Sequence, residues 1–248
     1  IYLSKKVYNS FIGRIINMNQ FVLFGNTHIL TMILIISIAV FLPKIYKTKS
    51  QESKALMSKI IAGIVFAHII TSPYKDLYLL ENPYSWKEVL PFHMCDLSEI
   101  CIVWFLLGGP KILYNCAFFW GLAGATMAII TPDLLYIDLD YLYFMIGHGM
   151  IIVGVMYATI ALNNRPYAKD VFSVILITLF ILLPITYLIN YFLGEPANFW
   201  YLMAKPDGAS LMDMFPDPPY HLLVTTPIAL TLFYLLYLPY LIKDKTSR

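Results

Sequence analysis

Seven long apolar stretches constrain the fold of this chain more than any other feature. They cover about residues 28–46, 58–80, 90–108, 111–131, 141–162, 169–193 and 219–242. A helix of roughly 20 apolar residues crosses the hydrocarbon layer of a bilayer. Backbone in lipid has to satisfy its own hydrogen bonds, which a helix does. The sequence therefore predicts an all-α membrane protein, a bundle of seven transmembrane helices.

The composition supports this fold class and argues against others. Hydrophobic residues make up 59% of the chain and charged residues 13%, whereas soluble domains are about half apolar and about a quarter charged. The net charge of +2 offers no basic surface for nucleic acid. No linker or low-complexity segment divides the chain, so we expect one polytopic domain over residues 1–248. Residues 1–26 lack the long apolar core of a signal peptide, and the stretch "SFIGRIINMNQFVLFG" within them predicts an N-terminal interfacial segment.

Basic residues indicate an orientation in a cell membrane. Cytoplasmic loops carry an excess of Lys and Arg. If the connection after the first stretch is cytoplasmic, 11 of the 17 basic residues lie on that side. The opposite side includes the loop "TPDLLYIDLDY", which has three acids and no base. The predicted arrangement has the N-terminus outside and the C-terminus in the cytoplasm.

Ionisable side chains gather toward the outer ends of the predicted helices. Such groups are costly in lipid and commonly mark functional sites. At 1.5 Å per residue, Cys95 is expected roughly 7–8 Å deep and His148 roughly 10 Å deep. This shared depth predicts one polar site within the outer leaflet. The ionisable residues concerned are His68, Lys75, Asp76, His93, Cys95, Asp96, Glu99, Asp133 and His148.

The segment "LPFHMCDLSEI" supplies the candidate nucleophile. Pro91 is predicted at the first helical position, which places Cys95 near the positive end of the helix dipole, where a thiolate is favoured. On a regular helix, His93 and Cys95 point about 200° apart. We therefore expect the base to come from another helix, and His148 is the candidate at matching depth.

Carboxylates and alternative chemistries complete the sequence-based hypotheses. Asp96 and Asp133 are candidates to orient the histidine, and Glu99 is expected to pair with Lys75 at similar depth. A zinc site is an alternative, since His, Cys and Asp are zinc ligands, although no paired histidine motif occurs. A transporter, a scaffold, or a packing role for His148 bonded to a carbonyl also stays open. We assign no metal and no cofactor.

Three motifs resemble those of the YwaF-like bacterial integral membrane proteins, relatives of the eukaryotic transmembrane protein 164 acyltransferase. The resemblance covers about residues 55–242 and includes the same plan of seven helices. The motifs are "LPFHMCDL", "ITPDLLYIDLDYLYFMIGHGMIIVGVMYATIA" and "INYFLGEPANFWYLMAKPDGASLMDMFPDPPYHLL".

The resemblance implies transfer of a fatty acyl chain between phospholipids and lysolipids through a cysteine, with hydrolysis as the alternative outcome. Carried over, the nucleophile falls on Cys95 and the histidine on His148, while His93 and Asp133 match the motif without an assigned role. Lys75 or Lys205 is a candidate contact for the lipid phosphate. The expected substrate-binding residues are Lys75, Glu99, Asn198, Tyr201, Lys205 and Tyr220.

Overall fold

The computed structural model describes residues 20–80, 83–205 and 211–246. Within these residues the chain is helical, and the only pairing of extended backbone is an isolated antiparallel bridge between Gln20 and Tyr136. Most of the predicted interfacial segment, residues 1–19, lies outside the described residues. The prediction of an all-α membrane protein is confirmed as far as the helical architecture goes.

Seven helices of 13 residues or more follow one another in the part of the chain that the structure describes. Ser50 accepts a hydrogen bond from Ser53 N at the start of the second helix, and Asp138 caps the fifth by accepting from Tyr141 N. Gly194, with φ of +64°, ends the sixth. The helices are α1 (Asn26–Lys47), α2 (Gln51–Tyr78), α3 (Met94–Leu106), α4 (Lys111–Ile130), α5 (Leu139–Ile160), α6 (Ala168–Leu193) and α7 (Leu222–Thr246).

Six of these helices are long and apolar enough to cross a membrane, and α3 is not among them. The prediction of seven spanning helices is therefore not confirmed, and the predicted third span over residues 90–108 is too long. Helix α3 has 13 residues, which gives it a length of about 20 Å. Pro91 disfavours a helical conformation at the preceding residue, and the helix begins only at Met94, where Asp96 accepts a hydrogen bond from His93 N.

Helices α4 and α5 form the centre of the bundle. About half of each is buried, whereas α1, α6 and α7 are largely exposed to the surroundings. Tyr114 and Phe119 from α4 and Val155 from α5 are fully buried. They pack in one core with Ile61 of α2 and Ile102 of α3. The short helix α3 is thus enclosed by α2, α4 and α5.

Two helices contain a π-helical turn, and the two turns are joined. The turns are Ala117–Gly121 in α4 and Thr178–Leu182 in α6. Trp120 Nε1 donates to Thr178 Oγ1 over 2.8 Å, and the hydroxyl donates in turn to Val174 O. A π turn contains one more residue per hydrogen-bonded turn than an α-helix. The contact between Trp120 and Thr178 thus joins the irregular segments of α4 and α6.

The predicted ionisable residues lie at one end of the bundle, which we call the site end. Helices α2, α4 and α6 end there and α3, α5 and α7 begin there, so the chain direction places these residues together. Phe21 N donates to Leu135 O at this end. At the opposite end, Lys111 pairs with Asp170 at 3.0 Å and Arg165 pairs with Asp244 at 2.5 Å.

Candidate active site

Cys95 is the second residue of α3 and is half-buried. Its Sγ faces Gly124 of α4, where an added Cβ would lie 3.3 Å from the sulfur. The first hydrogen bond within α3 runs from Leu97 N to His93 O. The backbone N–H groups of residues 94–96 precede that bond and have no carbonyl partner within the helix. The N–H of Asp96 meets the His93 side chain in a capping box, which leaves those of residues 94 and 95. The thiol therefore lies beside a set of backbone donors.

Helix α3 is shorter than the hydrocarbon layer of a bilayer is thick. At its other end α3 leads through Gly108 and Pro110 into α4, where Lys111 pairs with Asp170 at the opposite end of the bundle. A rise of about 20 Å from there stops about 10 Å short of a hydrocarbon layer that is about 30 Å thick. Cys95 lies in the first turn of α3, at the end of this helix that faces the site end. The positive end of the α3 dipole lies at the same helix start.

His93 is the N-cap of α3 and has extended backbone, with φ of −66° and ψ of 154°. Its direction relative to Cys95 is therefore not governed by the helical repeat. The expectation that helical phase turns His93 away from Cys95 was wrong in its premise, because Pro91 precedes the helix instead of opening it. The His93 ring packs edge-on against Phe199, with centroids 5.2 Å apart, and lies 6.1 Å from the ring of Tyr201.

His148 is held on α5 by a bond to the preceding turn. Its Nδ1 lies 2.8 Å from Phe144 O, and its ring packs against the Phe144 ring at 4.2 Å between centroids. A carbonyl accepts only, so Nδ1 is the protonated nitrogen and Nε2 of a neutral ring keeps a free lone pair. Among the described residues, no hydrogen bond joins His148 to Cys95. Their catalytic pairing remains a prediction.

Glu99 pairs with His68. The sequence had instead predicted a pair between Glu99 and Lys75. His68 Nδ1 lies 2.9 Å from Glu99 Oε1 and 3.2 Å from Oε2. The other ring nitrogen, Nε2, lies 3.1 Å from Tyr143 O on α5. Because both nitrogens face oxygens, the geometry suits an imidazolium that donates to the carboxylate and to the carbonyl.

This pair connects the face of α3 that carries Cys95 to the turn of α5 that carries His148. Glu99 lies one helical turn after Cys95 on the same face, and His68 binds the carbonyl next to Phe144, the partner of His148. An isolated carboxylate so close to the cysteine would oppose a thiolate, and the positive His68 offsets that charge.

Gly147 allows the close approach of α2 and α5 at this point. A Cβ added there would lie 2.3 Å from His68 Cε1 and 2.6 Å from Nε2, well inside van der Waals contact. The sequence placed His68 among the ionisable residues of the predicted helices, but we predicted no role for it. Its position seven residues, or two turns, before Lys75 places both on one face of α2 and was the available signal.

The two lysines expected to contact lipid phosphate are already paired. Lys75 is buried, and its Nζ contacts Asp140 and lies 2.7 Å from Asp76. Lys205 Nζ lies 3.0 Å from Asp217 and donates to Phe215 O. Both ammonium groups are thus engaged within the protein.

The connection between α6 and α7 packs over the start of α3. Trp200 Nε1 donates to Phe92 O over 2.8 Å. Asn190, buried in α6, donates from its amide to Phe199 O and accepts from Phe199 N at 2.9 and 2.8 Å. Trp200 and Tyr201 have φ of 59° and 54°, a left-handed conformation that costs about 1–3 kcal/mol per residue. The surrounding bonds hold this strained turn in place.

Other predicted residues line the same connection. Asn198 accepts hydrogen bonds from Met203 N and Ala204 N and so shapes the turn. Partial burial raises the pKa of Tyr201, and negative charge at Asp133 and at Cys95 would raise it further. The Tyr201 hydroxyl therefore stays protonated near neutral pH. Tyr220 is exposed just before α7.

Comparisons with known proteins identify a family. The TMEM164 family matches residues 23–237, which includes all the site residues named above. No curated protein and no solved structure matches the chain. In the part of the chain that the structure describes, no three His, Cys, Asp or Glu side chains are grouped as metal ligands.

Proposed function

Since the chain belongs to the TMEM164 family of membrane proteins, we propose that it is an intramembrane lipid acyltransferase with Cys95 as its nucleophile. The observation that carries the proposal is the short helix α3. With the end of α3 at the opposite membrane boundary, the thiol of Cys95 and the backbone N–H groups of residues 94 and 95 would lie about 10 Å below the boundary at the site end. Glycerol esters of phospholipids lie just beneath the headgroups, so this depth suits attack on an ester. The three motifs support a place in the bacterial YwaF-like branch.

The first step forms a thioester. The Cys95 thiol gives its proton to Nε2 of His148, and the sulfur attacks the carbonyl carbon of a phospholipid ester. The backbone N–H groups of residues 94 and 95 stabilise the oxyanion, helped by the helix dipole. The ester C–O bond breaks, and the lysophospholipid oxygen leaves with the proton from His148. The acyl chain is then bound to sulfur.

The second step returns the enzyme to its starting state. An acceptor hydroxyl, as in a lysolipid, gives its proton to His148 and attacks the thioester carbonyl. The C–S bond breaks, and the thiolate takes the proton back. Water in place of the lysolipid would make the same site a hydrolase. His93 and Asp133 lie at the same end of the bundle and border the site near Tyr201.

The proposal includes an orientation of the bundle in the membrane. With the connection between α1 and α2 in the cytoplasm, the site end faces the outer leaflet. The positive-inside rule supports this choice, because 11 of the 17 basic residues then lie inside. The substrates are accordingly phospholipids and lysolipids of the outer leaflet.

Substitution of the cysteine tests the proposal. The purified protein in vesicles of phosphatidylcholine with a labelled acyl chain is expected to form a hydroxylamine-sensitive acyl adduct on Cys95. Cys95→Ala should abolish both the adduct and transfer to lysophosphatidylcholine, and His148→Ala should reduce the rate of both by about 10²–10⁴-fold.

Cys101→Ala is the matched control, because Cys101 is also half-buried on α3. It should keep both adduct and transfer. Full transfer by Cys95→Ala would overturn the proposal. Retained transfer in His148→Ala, with loss in His93→Ala, would instead move the base to His93.

A further inference from the structure

An apolar groove opens on the surface of the bundle beside the site. One wall is formed by Leu90 and Phe92, in the segment that leads into α3. The other wall is formed by residues of α6, among them Ile185, Leu188 and Phe192. The groove has a volume of about 330 Å³ and only apolar side chains line it. Such a groove suits a hydrocarbon chain.

The groove runs along α6 toward the centre of the membrane. Ile185, Leu188 and Phe192 follow the spacing of one helix face, and the seven residues from the first to the last span about 10 Å along the axis. This is the direction in which an acyl chain descends from its headgroup. The shape therefore matches a single chain standing upright in its leaflet.

The ammonium group of Lys87 lies at the end of the groove where α6 ends. Lys87 Nζ donates to Leu193 O over 2.6 Å and to Glu195 O over 3.2 Å, and so caps the end of α6. An ammonium group has three N–H donors, so one donor remains beyond these two carbonyls. Among the residues that the structure describes, no carboxylate lies within ion-pair distance of Lys87. Its charge is thus available to an anion at the membrane surface.

We propose that Lys87 and this groove bind one phospholipid, with the phosphate on Lys87 and one acyl chain along α6. The groove provides the chain contact and Lys87 provides the charge, a combination that Lys75 and Lys205, each bound to carboxylates, do not offer. The site borders the catalytic residues through Phe92, whose Cα is at most about 11 Å from that of Cys95 by chain length. Its role as a substrate site rests on the proposed acyl transfer, whereas lipid binding itself does not.

Photocrosslinking tests this assignment. The full chain in phosphatidylcholine vesicles is irradiated with a phosphatidylcholine that carries a diazirine halfway along one acyl chain, and labelled peptides are mapped. Labelling of residues 185–193 should exceed several-fold the labelling of the equally exposed face of α1 around Ile33. Leu188→Trp, which fills the groove, should reduce the labelling of α6, whereas the matched Ile33→Trp on α1 should not.

The charge is tested with a second probe. Lys87→Gln should reduce labelling of the groove by the phospholipid about tenfold, the effect of removing one charge-assisted hydrogen bond. A diacylglycerol with the same diazirine lacks the phosphate, and its labelling should not change. Lys87→Arg should retain both. Inorganic phosphate in excess should not compete, since the chain contact is part of the binding.

Each contrary result has a definite meaning. Equal labelling of α6 and α1, or competition by inorganic phosphate, would overturn the lipid site. An equal loss for both probes in Lys87→Gln would show that Lys87 acts only as a cap of α6. Cys95→Ala should leave the labelling unchanged. If it also retained transfer, the acyltransferase proposal would fail while the lipid site stood.

Discussion

Replacing Gly147 by alanine tests whether the contact between α2 and α5 holds the His68–Glu99 pair in place. The new Cβ would lie 2.3 Å from His68 Cε1, where carbon atoms prefer about 3.5–4.0 Å. The imidazole would have to move by more than 1 Å, and its hydrogen bonds to Glu99 and to Tyr143 O would be lost or weakened.

The magnitude follows from the burial of Glu99, which is 4% exposed. Breaking a buried ion pair while one charge stays buried costs about 3–5 kcal/mol. Alanine gains at most about 1 kcal/mol over glycine in a helix. We therefore expect Gly147→Ala to lower the free energy of unfolding by about 2–4 kcal/mol.

Gly63 of α2 provides the matched control, because an added Cβ there would meet nothing within 4 Å. Gly63→Ala should leave stability unchanged or raise it by up to about 1 kcal/mol. Unfolding free energies measured in bicelles by steric trapping, with the thermal midpoint in detergent as a second readout, compare the two variants. Equal stabilities for Gly147→Ala and Gly63→Ala would refute the reasoning.

Two further predictions concern the connection between α6 and α7. Asn190→Leu leaves the N–H and C=O of Phe199 without their partner, so we expect a loss of about 2–4 kcal/mol in unfolding free energy. Tyr187→Leu, at an exposed position of the same helix, should change the unfolding free energy far less. Equal effects of the two substitutions would contradict the role of Asn190. Tyr201 has a raised pKa, so stability linked to its neutral form is present below about pH 10 and lost as pH rises through the raised value. Asp133→Asn should lower the midpoint of the Tyr201 ultraviolet titration, isolated by subtracting Tyr201→Phe, and an unchanged midpoint would show that Asp133 has no influence.

In the proposed mechanism, the short helix α3 explains how polar chemistry can lie inside an apolar layer. A helix of full length would bring its free N–H groups to the water, where solvent would satisfy them. A helix that starts about 10 Å deeper leaves them to a ligand or to the protein. In surroundings of low dielectric constant, such donors stabilise a developing negative charge more strongly than they would in water.

The lengths of the apolar stretches and the positions of the ionisable residues along them could be read from the sequence. Runs of about 20 apolar residues have one stable conformation in lipid, so the helices and their order followed directly. Counting residues from the helix ends also brought Cys95, Glu99 and His148 to one end of the bundle, because the rise of a helix is fixed. Both inferences depend only on local geometry.

The tertiary structure alone decided how far each helix runs and which side chains meet. Local hydropathy predicted α3 over residues 90–108, but in the fold Trp200 of the connection between α6 and α7 donates to Phe92 O, and the helix begins at Met94. Depth likewise suggested that Glu99 would meet Lys75. The partner of a buried charge depends on how two helices are rotated and how closely they pack. Because Gly147 has no side chain, α2 packs closely against α5, and His68 pairs with Glu99.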